Sequence, residues 1–154
     1  MHILRLSYNQ RMNNAVLTVL PETQQEALKN LGVVLLYVHG SVATGSARKD
    51  SDVDIAVLFD HTPADSVEAT AGIVAALHGF EKEREMDVSI LNEASPLLNQ
   101  TVASQGKLLY ARLPDDALLF EMRAMHEYEY SRQVVRLGQE LALQYKYKNT
   151  RAYD

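Results

Sequence analysis

The chain of 154 residues has no cysteine, no tryptophan, only four prolines and seven glycines. Without cysteine there is neither a disulfide framework nor a thiolate metal site, and a reducing cytoplasm becomes the expected compartment. No apolar run approaches the roughly 20 residues of a membrane-spanning helix, so no membrane span is expected. Arg5, Asn9, Gln10, Arg11, Asn13 and Asn14 break up the first twenty positions, which therefore do not read as a signal peptide. Basic excess is missing as well: 15 Lys and Arg stand against 20 Asp and Glu, a net charge of -5 at pH 7. A nonspecific nucleic-acid binder would carry a basic stripe instead. His61, His78 and His126 have no metal-ligand spacing to one another, which removes zinc from consideration.

What is present suffices for a core. The hydrophobic fraction is 47%, which argues against disorder, and a chain of this length buries about two-thirds of the surface that its unfolded form exposes. No repeat or low-complexity tract divides it, so residues 1–154 read as one domain. The few prolines and glycines punctuate it. Pro21-Glu22-Thr23 opens a helix through Asn30 that Gly32 ends, Pro63 to His78 is a second helix ending at Gly79, and Pro96 to Gln105 is a third, ended by Gly106. From Pro114 a long helix is predicted to about Tyr147. Between these lie four strand-like apolar runs, Val33 to His39, Val53 to Phe59, Met86 to Leu91 and Lys107 to Ala111. The alternation predicts an α/β class, with a core over about 21–112 and a helical C-terminal extension over about 114–147.

One stretch prescribes a chemistry by residue type and spacing together. Gly40 and Ser41, ten further residues, then Asp52-Val53-Asp54 form the pattern GSx10DxD, with an apolar strand before and after. Side chains alternate faces along a strand, so Asp52 and Asp54 emerge together while Val53 and Ile55 point the other way. Two crowded carboxylates repel each other, and a divalent cation removes the conflict. Mg2+ takes hard oxygen ligands and is held by one or two carboxylates together with substrate phosphates. Gly40 lets the backbone approach a phosphate without a Cβ, Ser41 offers a hydroxyl and an N–H, and a helix starting at Ser41 or Val42 would add free N–H groups. Arg48 and Lys49 sit between the two halves, either to neutralise triphosphate charge or as an ordinary solvated pair. His39, directly before the glycine, either faces the nucleotide or, the more common case, is a satisfied structural residue at a strand end. Each half of the pattern alone is a common turn or loop junction. All four fixed positions coincide by chance in about one or two chains per thousand of this length, so the joint pattern is informative.

The run from Tyr37 to Phe59, with Gly40-Ser41, Ala43, Gly45, Ser51, Asp52 and Asp54, resembles the signature of polymerase-beta-like nucleotidyltransferases. More narrowly it resembles the minimal nucleotidyltransferases, the MNT proteins encoded beside HEPN-domain partners. That resemblance implies a polymerase-beta-like fold, a small mixed sheet flanked by helices, here with a long C-terminal helix. It implies that Asp52 and Asp54 bind metal and that a third acidic residue on a later strand completes the site. In Glu85-Met-Asp-Val-Ser-Ile-Leu91 alternation sets Asp87 and Ser89 on one face, which makes Asp87 the matching residue, with Glu83 and Glu85 close by. The resemblance further implies one or two Mg2+ ions, ATP as donor, and a tyrosine hydroxyl of a HEPN toxin as acceptor, the chain acting as antitoxin. Two alternatives stand beside it: a small-molecule acceptor, as in the similar aminoglycoside nucleotidyltransferases, and neutralisation by stoichiometric binding alone. A templated polymerase needs a basic groove and further domains, so direct action on nucleic acid is not expected.

Along the last helix Leu119, Met122, His126, Tyr130, Val134, Leu137, Leu141 and Tyr145 recur at spacings of three and four, one continuous stripe. Its inner half is expected to pack on the sheet. A helix of this length spans about 50 Å, more than a domain of this size is wide, so its outer part is expected to project and dock a partner. Tyr145, Tyr147, Arg151 and Tyr153 near its end are residue types that anchor interfaces.

Overall fold

A computed structural model of the chain describes residues 20–48, 51–81 and 84–150, with side chains through residue 145. Pro21, with the extended backbone that precedes a helix, sets off α1 (Glu22–Asn30), whose acidic first turn and basic last turn complement the helix dipole. Gly32 (φ +77°) turns the chain into β1 (Val33–His39), beside an Asp60 carboxylate oxygen that would stand 2.8 Å from any Cβ placed there. One helical turn, α2 (Gly40–Thr44), ends at Gly45 and leads to β2 (Val53–Phe59). Helix α3 (Ser66–Ala76) is shorter than the predicted Pro63–His78 stretch. The Asp65 carboxylate takes the cap, accepting from the Val67 and Glu68 N–H groups at 2.8 and 3.0 Å, and His78 leaves the helix to bridge Glu81. Strand β3 (Met86–Ile90) ends one residue early, and α4 (Pro96–Gln105), capped by the Ser95 hydroxyl, and β4 (Lys107–Ala111) have the predicted bounds.

The sheet is mixed, in the order β3-β2-β1-β4. β1 runs antiparallel to β2 and β4, while β2 and β3 are parallel, a pairing that needs a crossover, supplied by α3. On one face Leu36, Val38, Ile55 and Val57 pack with Leu28 of α1 and with Ile73 and Leu77. On the other Leu35, Tyr37, Ala56 and Leu58 meet Val102 and Ala103 of α4. Each fully buried aliphatic side chain contributes about 1.5–3 kcal/mol, so helices on both faces are held by the alternation of the strands.

Helix α5 (Asp116–Thr150) begins two residues after Pro114, where the Asp116 carboxylate accepts from the Leu113 N–H at 2.9 Å. Its packing corrects the sequence expectation. Leu119, Met122 and Tyr130 are 61%, 62% and 68% exposed, whereas Ala117, Phe120 and Ala124 are buried against the sheet and α4. Two alanines let the helix come close, and Phe120 fills the remaining gap against Tyr37, ring centroids 5.8 Å apart. From residue 132 to 145 every side chain is exposed, so the outer half projects as expected. No described helix is long and apolar enough to cross a membrane.

Candidate active site

The register of the sheet assembles the motif. Pairing of β1 with β2 sets His39 opposite Asp54, and the parallel pairing of β2 with β3 sets Asp54 opposite Asp87. Register partners on neighbouring strands, about 4.8 Å apart, share a face. His39, Asp54 and Asp87 therefore form a row across one end of the sheet, on the face that α4 and α5 cover further along. Asp52 precedes β2 by one residue and is exposed, as is Asp87, while Asp54 is half-buried.

Gly40 closes over this row. Its φ is +68°, and a Cβ built on it would run into the Asp54 carboxylate at Oδ2. A glycine alone tolerates both the left-handed backbone and the approach. The hydroxyl of Thr44 donates to the Gly40 and Ser41 carbonyls, each at 3.2 Å, and holds the turn shut. Beyond it the exposed Arg48 and the half-buried Ser51 clasp each other, the Arg48 N–H donating to the Ser51 hydroxyl at 3.0 Å and the Ser51 N–H to the Arg48 carbonyl at 3.1 Å. That clasp delivers the chain to Asp52. Lys49 lies outside the described residues.

The donor set fits a Mg2+-nucleotide. Asp52, Asp54 and Asp87 offer hard oxygens at one end of the sheet, and the Gly40 turn is a cradle that any Cβ would fill. Among the described residues no group of three Asp, Glu or His is arranged to hold a metal by itself, so these carboxylates would complete a metal site only together with phosphates and water. The buried Nε2 of His39 has no hydrogen-bond partner. The sequence left His39 between a satisfied strand-end residue and one that faces the nucleotide. Alternation gives the face of a strand residue, and only the register shows that this imidazole stands beside Asp54.

The family model described as polymerase beta, nucleotidyltransferase, matches residues 22–115. The chain belongs to this family. The match runs from α1 through β4 and stops just short of α5. Two curated relatives carry the description protein adenylyltransferase MntA. That of Shewanella oneidensis is 33% identical over 99 residues, 62% of this chain and 66% of the relative. The one from Aphanizomenon flos-aquae is 29% identical over 99 residues, 59% of this chain and 65% of the relative. The chain thus spans just under two thirds of the length of these relatives. Among solved structures, a toxin-antitoxin complex with AMP-PNP is 27% identical with a TM-score of 0.60, over 77% of this chain and 94% of that chain. A complex of tri-AMPylated Shewanella oneidensis HEPN toxin with MNT antitoxin is 25% identical with a TM-score of 0.55, over 77% of this chain and 91% of that one. The polymerase-beta-like nucleotidyltransferase fold expected from the motif is the one observed.

At the far end of β2 lies a second cluster, which the sequence did not single out. Asp60 shares one oxygen with His61 at 3.1 Å and the other with Arg112 at 3.1 Å. The His61 hydrogen bond, joined by Arg112 and opposed by partial desolvation, holds the Asp60 carboxyl below its ordinary range.

Proposed function

We propose that this chain is a Mg2+-dependent protein adenylyltransferase and an antitoxin, transferring AMP from ATP to a tyrosine hydroxyl of a HEPN ribonuclease toxin. The observation that carries the reading is the register that sets Asp54 beside Asp87 under the Gly40 turn; the likeness to MntA proteins supports the acceptor. Asp52 and Asp54 would hold the metal, Gly40 and Ser41 would seat the β and γ phosphates, and Arg48 and Lys49 would neutralise triphosphate charge. When bound, Mg2+ supplies charge neutralisation and orients the attacking and leaving oxygens. The tyrosine oxygen forms a bond to the α-phosphorus, the bond from that phosphorus to the bridging oxygen breaks, pyrophosphate leaves, and Asp87 either binds a second metal ion or accepts the phenolic proton. Positioning supplies much of the remainder. Residues 21–112 are the catalytic core of the single domain, and α5 is the docking element. The absence of cysteine fits action in a reducing cytoplasm.

The exposed stripe on α5 favours one second reading, neutralisation by binding alone. Mass spectrometry of the toxin after incubation with this chain, ATP and Mg2+ separates the two. Mass added in whole AMP units supports transfer; an unmodified toxin silenced at one-to-one stoichiometry without ATP overturns it in favour of binding.

A further inference from the structure

A cavity of about 580 Å3 opens between the sheet, α4 and α5 at the end of β2 remote from the carboxylate row. Phe59, which lines it, stands five residues past Asp54, roughly 17 Å along the strand. The floor is apolar, formed by Val34, Leu91 and the Phe120 ring. Asn99 of α4 brings a primary amide into that lining. It is 6% exposed, and its Oδ1 is buried with no hydrogen-bond partner. A buried acceptor without a partner calls for a donor.

Charge at the rim specifies which donor. Arg112 is occupied by Asp60 at 3.1 Å and Arg123 by Glu127 at 3.9 Å. Asp116 accepts the Leu113 N–H and has no cation of its own among the described residues. Three carboxylates against two guanidiniums leave the lining one negative charge in excess. An anionic ligand would have to break an existing pair, whereas a cation adds to the uncompensated carboxylate.

We propose that this cavity is a binding site for a cationic hydrogen-bond donor, an alkylammonium or alkylguanidinium group that donates to Asn99 Oδ1, with its charge toward Asp116. The group belongs either to a free small amine or to a basic side chain of a partner protein. Nucleotidyl transfer at the far end of the sheet does not use it.

Calorimetric titration of the full chain with agmatine and, separately, with a short arginine-containing peptide tests the assignment. Saturable binding of either supports it, the tighter of the two naming the source. Asn99→Leu, which keeps the volume and removes the acceptor, is expected to weaken binding about tenfold, the equivalent of one hydrogen bond. Glu127→Gln, an exposed change that leaves the fold alone, is expected to weaken it about twofold to threefold and serves if the first variant does not fold. Both should leave AMP transfer unchanged. No saturable binding by either probe, tighter binding of glutamate than of agmatine, or undiminished affinity in the variants overturns the proposal.

Discussion

Substituting Gly40 by alanine tests the geometry of the site in one step, and Gly45 supplies the control. Both glycines have positive φ, +68° and +75°, but a Cβ at Gly40 meets the Asp54 carboxylate while a Cβ at Gly45 has nothing within 4 Å. Each alanine forces an L-residue into the left-handed region at roughly 1–2 kcal/mol, so both variants should lose about 2–8 °C in Tm for a chain of this size. Only Gly40→Ala also displaces the carboxylate that stands opposite Asp87. A shift of about 1 Å in a positioned catalytic group costs on the order of 100-fold in rate, or about 2.7 kcal/mol in the barrier. AMP transfer measured beside thermal melts should therefore show Gly40→Ala nearly inactive and at least as destabilised as Gly45→Ala, which stays active. Equal activity losses in both would mean that backbone strain alone governs the site, and a fully active Gly40→Ala would refute the reasoning outright.

Replacing both Asp52 and Asp54 by asparagine should leave the circular dichroism spectrum and Tm in place, or raise Tm slightly as like-charge repulsion disappears, while transfer is abolished; full transfer in the double variant removes the metal assignment. Phe120→Ala empties a site that is 2% exposed beside Tyr37 and should cost about 3–5 kcal/mol in urea unfolding; a loss below about 1 kcal/mol would mean that α5 is not held by this ring. Burial raises the Tyr110 phenol above its ordinary 10.0, helped by Asp116 and opposed by Arg112. The folded state keeps that proton longer than the unfolded chain does, so its contribution is intact below pH 10.0 and is lost as pH rises through the folded value. Alkaline absorbance titration with stability measured across the same range checks this, and a Tyr110 that ionises at or below 10.0 contradicts it.

The elements were legible where the chain punctuates itself. Val33–His39 lies between two glycines, and Pro96–Gln105 between a serine cap and Gly106, so apolar runs and breakers agree. The buried face of α5 was not legible. Its large apolar residues drew the stripe to one side, yet the side that packs is Ala117, Phe120 and Ala124, because the receiving surface of α4 and the sheet favours small residues around one aromatic ring. The carboxylates were readable as a set from spacing and resemblance. Their row was not, since which residue of β3 faces Asp54 is decided by a pairing across 33 positions of sequence that no local pattern encodes. The place of His39 beside Asp54 was hidden for the same reason: its neighbour is a register partner, not a sequence neighbour.

Up to Ser131 helix α5 is fastened to the body; beyond it the side chains through residue 145 face solvent, steadied by pairs such as Arg132 with Glu129 and Arg136 with Glu140. Exposed pairs of this kind contribute about 0.3–0.5 kcal/mol each, and an isolated helix of such length is marginal in water. The distal segment is helical without a body to pack against, so amide hydrogen exchange is expected to quicken beyond Ser131. Docking of the proposed partner there would bury the segment and slow that exchange, making its amides a reporter of complex formation.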